Sequence, residues 1–110
     1  MLEIIGKDIR INRGDEVDLF FSFEKDPPED GTFIRFAVKA THSNTVIKKE
    51  TVYENEQIHV HLTSNETDLN VQDYSYGLYI QYGDGNGYSP LAESKFTVRP
   101  SEAYPGKVIM

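Results

Sequence analysis

The 110-residue sequence predicts an all-β protein, an immunoglobulin-like Greek-key β-sandwich of about seven strands. The clearest observation is the segment DYSYGLYIQYG at residues 73–83, where five large side chains alternate with smaller or polar ones. A period of two is typical of a half-buried strand, and no helix places these five side chains on one face. They are Tyr74, Tyr76, Leu78, Ile80 and Tyr82.

Two further observations support the fold class. Short alternating segments recur along the chain, separated by turn residues at roughly ten-residue intervals, as in β-sandwiches. No segment of useful length has helical periodicity. A small β-barrel would bury the same faces of the same strands and stays open as an alternative.

The first two strands are predicted on either side of a turn at residues 12–15. Ile9 and Ile11 alternate with polar neighbours in the first strand, and Gly14 suits the positive φ of the turn. The second strand directs alternate apolar residues inward and leaves Phe20 on the polar face. Its inward residues are Val17, Leu19, Phe21 and Phe23.

A loop at residues 26–31 separates the second strand from the third, because Pro27 and Pro28 remove two backbone donors. The third strand, residues 32–40, directs Ile34, Phe36 and Val38 inward. The fourth strand, residues 45–53, carries Lys48, Lys49 and Glu50 in its middle, which indicates an edge strand.

The fifth strand directs Ile58, Val60 and Leu62 inward and His59 and His61 outward. Residues 63–72 are predicted to cross between the two sheets, with Leu69 and Val71 as apolar anchors. The central strand and a Gly-rich hairpin loop at residues 83–87 follow. The final strand, with inward Ala92, Ser94, Phe96 and Val98, ends at Pro100.

We expect one domain over residues 1–100 and a C-terminal tail over residues 101–110. Tyr74 stands two residues before Tyr76, just after the crossover, where immunoglobulin-like domains place a tyrosine corner. In that arrangement the hydroxyl bonds to upstream backbone, and Tyr76 occupies a core position. The alternative is that Tyr74 is only the first inward aromatic residue of its strand.

Composition excludes several classes of function. The chain has 11 basic and 18 acidic residues and a formal charge of −7, which argues against nucleic-acid and anionic-membrane partners. It has no cysteine, so no disulfide, thiolate nucleophile or zinc–sulfur site is possible. We expect neither a signal peptide nor a membrane span, because no basic start is followed by a long apolar run and no segment approaches about 20 apolar residues. We therefore expect a soluble protein without cofactors.

Three motifs have both a functional and a structural interpretation, and the structural one is favoured for each. Arg13-Gly14-Asp15 spells a tripeptide that adhesion receptors bind, but a turn needs glycine there. His59 and His61 could present two imidazoles to a metal, but no third ligand is evident. Asp84–Gly87 resembles the start of a calcium loop without its closing Glu. No catalytic arrangement is recognisable, and we expect no enzyme.

Two surfaces are candidates for binding. If the third and sixth strands are neighbours, their outward sides bring together Phe33, Ala37, Gly77 and Tyr79, a combination that suits protein docking. Alternatively, the loop end of the sandwich offers a platform for carbohydrate or a host surface. Its residues are Tyr82, Asp84, Asn86 and Tyr88.

The motifs IRINRGD, AVK, IHVHL, YSYGLYIQYGDG and KFTV, spread over residues 9–98, resemble those of a known group. The chain is similar to small immunoglobulin-like proteins encoded among the virion genes of phages and prophages of Firmicutes. In style it resembles the N-terminal domain of the baseplate upper protein. The pattern I-x-I-x-R-G-D of these proteins matches residues 9–15, Val-Lys matches Val38-Lys39, and Y-x-Y followed by D-G matches Tyr74, Tyr76, Asp84 and Gly85.

The resemblance implies a non-enzymatic virion component in the tail, baseplate or head, located in the virion or in the bacterial cytoplasm during assembly. It also implies that the protein works through protein–protein contacts, with other virion proteins or with itself as a homo-oligomer.

Overall fold

Eight β-strands make up most of the described chain, and no described residue lies in a helix. The computed structural model describes residues 2–41, 43–81 and 88–100, and side chains are described for all of these except residues 88–92. The strands are β1 (Glu3–Ile5), β2 (Asp8–Asn12), β3 (Val17–Phe21), β4 (Phe33–Thr41), β5 (Asn44–Glu54), β6 (Gln57–Leu62), β7 (Gln72–Gln81) and β8 (Tyr88–Arg99).

The strands form one mixed sheet in the order β1-β2-β8-β7-β4-β5-β6-β3. Among the strands that the structure describes, only β2 and β8 pair in parallel; the other neighbours are antiparallel. The sheet folds over at β5, which pairs with β4 as far as Val52 and with β6 through Tyr53 and Glu54. The pair β3–β6 therefore forms a second layer opposite the other strands, and the predicted all-β sandwich is confirmed.

The core lies between these two layers. Val17 and Leu19 of β3 and Ile58, Val60 and Leu62 of β6 are buried, as predicted. The ring of Phe21 lies 6.2 Å from that of Phe36 and 6.1 Å from that of Tyr76, centroid to centroid, and so joins the layers. The facing layer contributes the remaining buried residues, among them Ile9, Ile11, Ile34, Phe36, Val38, Tyr74, Tyr76, Leu78, Phe96 and Val98.

The turns follow their residue chemistry. Gly14 adopts φ +83° between β2 and β3, as expected for the residues 12–15 turn. Asn55 and Glu56 adopt φ 54° and 63° in the two-residue connection of β5 and β6, which is typical of a tight hairpin turn. The strand β8 ends at Arg99, directly before Pro100, as the sequence predicts.

The tyrosine corner is confirmed. The hydroxyl of Tyr74 donates a hydrogen bond to the carbonyl oxygen of Asn70 at 2.8 Å, and burial raises the pKa of this phenol. Tyr76 is buried in the core, and its hydroxyl donates to the carbonyl oxygen of Lys7 at 2.5 Å. The two hydroxyls thus attach β7 to the crossover and to the turn before β2.

Some expectations are corrected by the structure. The strand β1, which pairs with β2 around Gly6, was not predicted, and the count rises from about seven strands to eight. Leu69 packs against the core, but Val71 is 49% exposed, so its role as an anchor is wrong. Val71 follows Asn70, whose carbonyl Tyr74 holds, and its side chain lies on the solvent side. The predictions for Tyr82, the loop 83–87 and the tail 101–110 fall outside the described residues.

Candidate functional site

The outward face of β4 and β7 brings three of its four predicted residues together. Ala37 is paired with Gly77, and the ring of Tyr79 lies back over Gly77. A Cβ atom on Gly77 would stand 2.5 Å from the hydroxyl oxygen of Tyr79, so glycine is what allows the ring to lie there. The ammonium nitrogen of Lys39 lies 5.5 Å from the centroid of the same ring, within cation–π range.

This face offers a partner less apolar surface than the sequence indicates. Ala37 is only 4% exposed and Gly77 is buried, so each presents little surface in the folded chain. Phe33 is 62% exposed, but Arg35 stands between it and Ala37 on the same face. The guanidinium of Arg35 donates to Glu50 at 2.8 Å, and this bond lowers the pKa of that carboxyl. The accessible part of the predicted surface is therefore Phe33 and part of Tyr79.

The alternative loop-end site lies largely outside the described residues. Tyr82, Asp84 and Asn86 are not described, and of Tyr88 only the backbone position at the start of β8 is. Carbohydrate binding at this end stays a prediction.

The outer face of the β3–β6 layer carries a cluster of two imidazoles and two carboxylates. Oδ1 of Asp18 lies 2.7 Å from Nε2 of His59 and 2.8 Å from Nδ1 of His61. Oε1 of Glu16 lies 3.0 Å from Nε2 of His61. The register explains the contacts, because Asp18 is paired with His61 and Phe20 with His59. The rings of Phe20 and His59 also stack, with centroids 4.6 Å apart.

These contacts shift the pKa values of Asp18 and His61. The hydrogen bonds from His59 and His61 lower the pKa of Asp18. The hydrogen bond to Asp18 raises the pKa of His61, and Glu16 adds to this effect. The side chains of His59 and His61 are 48% and 42% exposed, which confirms that they face solvent. In the described part of the chain, no group of three or more potential ligands could hold a metal ion.

Sequence reasoning missed the two carboxylates. The alternation places Glu16 and Asp18 on the outer face of one strand and both histidines on the outer face of another. Only the pairing of β3 with β6 puts them side by side. Only a prediction that those two strands are neighbours would have identified the cluster.

All three residues of the Arg13-Gly14-Asp15 tripeptide make contacts within the fold. Nε of Arg13 lies 2.7 Å from Oδ1 of Asp68, and Oδ2 of Asp15 accepts a hydrogen bond from the amide of Asn12 at 2.9 Å. The amide of Gly14 donates to the carbonyl of Thr67, and the fully buried hydroxyl of Thr67 donates to the carbonyl of Asp15 at 2.6 Å. The tripeptide thus attaches the β2–β3 turn to the crossover.

An open cleft of about 760 Å³ lies where the two ends of the sheet, β1 and β3, fail to meet. The cause is the unequal size of the layers, because β3 and β6 are too few to cover all the strands opposite. Lys7, Asp18 and Glu24 contribute the charged part of its lining. Its apolar lining includes Leu2, Ile4, Ile9, Leu19, Tyr76 and Leu78.

Comparisons with known proteins do not assign a family. No family model and no curated protein matches the chain. Among solved structures, the chain is similar to a proposed glycoside hydrolase of Bacteroides vulgatus ATCC 8482, with a TM-score of 0.45 and 17% sequence identity. The match covers 84% of this chain but only 16% of that protein. The described part of the chain has no helix long and apolar enough to span a membrane.

Proposed function

We propose that this chain is a non-enzymatic structural or assembly module of a phage or prophage virion, in the tail, baseplate or head, that works through protein–protein contacts. The observation that carries the proposal is the incomplete second layer, which leaves an apolar cleft beside the free edge of β3. The resemblance of residues 9–98 to virion-encoded immunoglobulin-like proteins supplies the biological setting.

The cleft suits an extended polypeptide segment. A strand at the end of a sheet presents unpaired N–H and C=O groups, and an added strand satisfies them while its alternate side chains fill pockets. Here the pockets lie between the apolar side chains that line the cleft between β1 and β3. Ile4 and Phe20 both line the cleft and are 56% and 59% exposed, so the cleft presents apolar side chains to a partner.

The outward face of β4 and β7 is a second contact surface in this proposal. Phe33 and Tyr79 supply its aromatic surface, and the ion pair of Arg35 with Glu50 supplies polar contacts beside them. Interfaces commonly combine an aromatic centre with such a polar rim.

The test is co-expression of the chain with the products of the neighbouring genes, followed by size-exclusion chromatography with light scattering. Ile4→Glu should weaken the complex because Ile4 lines the cleft. Ile5→Glu is the matched control, since Ile5 is 51% exposed in the same strand but does not line the cleft. Phe33→Ser and Tyr79→Ser test the second surface in the same assay.

Mass spectrometry of purified particles tests the setting. We expect the chain in particles that sediment as virions. A chain that is absent from particles and forms no complex with any neighbouring gene product would refute the proposal.

A further inference from the structure

The free lateral edges of the fold are not equally protected. The edge of β5 carries Lys48, Lys49 and Glu50, and such charges discourage pairing with another chain. Strand β3 pairs only with β6 among the described residues, and its other edge is free. Its sequence, VDLFF, has no proline, lysine or arginine. Its single charge, Asp18, already contacts the two histidines of β6.

We propose that β3 pairs antiparallel with β3 of a second copy of this chain, about a two-fold axis at Leu19. The two copies would then share a four-stranded layer in the order β6-β3-β3-β6. This inference names the partner for the protein–protein role proposed above and rests on that role.

The outer face of β3 selects this register. The register centred on Leu19 pairs all five residues of the strand. It puts Asp18 opposite Phe20 of the second copy, so no carboxylate directly faces another. The two Asp18 side chains lie on a diagonal, each held by the histidines of its own β6. A register centred on Asp18 would instead put the two Asp18 side chains directly opposite each other.

A register centred on Phe20 is also less favourable. It would pair fewer strand residues and put Glu16 opposite Glu24 of the second copy. Like charges directly opposite each other destabilise a strand pair. The arrangement of charges along β3 therefore favours a self-complementary pair centred on Leu19.

The inner face of β3 supplies the apolar contacts. Val17, Leu19 and Phe21 face the core, so the same residues of the second copy would face the cleft beside β3. That cleft is apolar where Ile9, Leu78 and Tyr76 line it. Closure by a second strand would remove this surface from water, which is the main driving force for association.

A charge substitution at Phe20 tests the register. Phe20→Glu would put a carboxylate opposite Asp18 of the second copy at two symmetric positions, whereas Phe20→Lys would put an ammonium there. The glutamate variant should dimerise about tenfold or more weakly than the lysine variant, because cross-strand charge pairs act with opposite sign at both positions. Sedimentation equilibrium over a range of concentrations measures both constants. Val71→Glu is the control, because Val71 is 49% exposed but lies outside β3, the cleft and the β4–β7 face.

Both substitutions also act within the folded monomer, where Phe20 stacks on His59 and lies on the same outer face as Asp18. Circular dichroism and urea unfolding of both variants separate this effect from dimerisation. Hydrogen exchange provides an independent readout, since the β3 amides should become more protected as the concentration of the wild type rises.

Two results would overturn the inference: a wild-type chain that stays monomeric at all concentrations, or equal weakening by Phe20→Glu and Phe20→Lys. A monomer that still binds a neighbouring gene product would overturn the pairing and leave the protein–protein role intact. A dimer with the expected charge response that is absent from virions would refute only the virion setting.

Discussion

Replacing Tyr74 by Phe removes the hydroxyl of the tyrosine corner and little else. The hydroxyl donates to the carbonyl of Asn70 at 2.8 Å, and the Tyr74 side chain is otherwise buried against the core. A neutral hydrogen bond contributes about 0.5–1.5 kcal/mol net, and an acceptor left buried costs about 1–3 kcal/mol. Because Asn70 is exposed, water can replace the lost donor. We therefore expect the free energy of unfolding to fall by about 1 kcal/mol.

Urea unfolding followed by tyrosine fluorescence and circular dichroism measures this change. With a slope of about 1–3 kcal/mol per molar urea for a small protein, the midpoint should fall by roughly 0.3–1 M. The melting temperature should fall by roughly 4–6 °C for a domain of this size. The slope itself should stay constant, because the core packing is unchanged.

Tyr53→Phe is the matched control. Tyr53 is also buried, at 5% exposure, but its hydroxyl makes no hydrogen bond to another residue that the structure describes. Its substitution should change the stability by less than about 0.5 kcal/mol. If Tyr74→Phe were as neutral as Tyr53→Phe, the hydroxyl of the tyrosine corner would contribute nothing to stability.

Two further predictions concern polar contacts that join distant segments. Asp18→Asn should lower the pKa of His61 towards its ordinary 6.5, as an NMR titration of the imidazole measures; an unchanged value would show that Asp18 does not set it. The stability that comes from the raised pKa of His61 is fully present below pH 6.5 and is lost as the pH rises through the folded pKa of His61. The stability that comes from the lowered pKa of Asp18 is fully present above pH 3.8 and is lost as the pH falls through the folded pKa of Asp18. The loss of stability in Asp18→Asn should therefore be largest between pH 3.8 and pH 6.5. Thr67→Val should cost about 1–3 kcal/mol by removing the donor to the Asp15 carbonyl, and Thr67→Ser should cost less by keeping it; equal losses would contradict this role.

The surfaces of the protein were less predictable than its core. The sequence places Ala37 and Gly77 on an outward face, which is correct for the backbone, yet Tyr79 lies over Gly77 and Ala37 is buried. It also directs His59 and His61 to solvent correctly, but it does not reveal Asp18 beside them. In both cases the missing information is which side chain of another residue or strand lies next to the exposed position.

The sequence by itself determined the strands other than β1, and their inward faces. Ile34, Phe36 and Val38 are buried, and so are Tyr74, Tyr76 and Leu78, because a period of two is a local property that survives in any β fold. Only the tertiary structure decided which strands are neighbours, how unequal the two layers are, and where the cleft between β1 and β3 opens. Those features depend on pairing between segments about 40 or more positions apart, such as Asp18 with His61, and the pattern within a single strand carries no information about its partner.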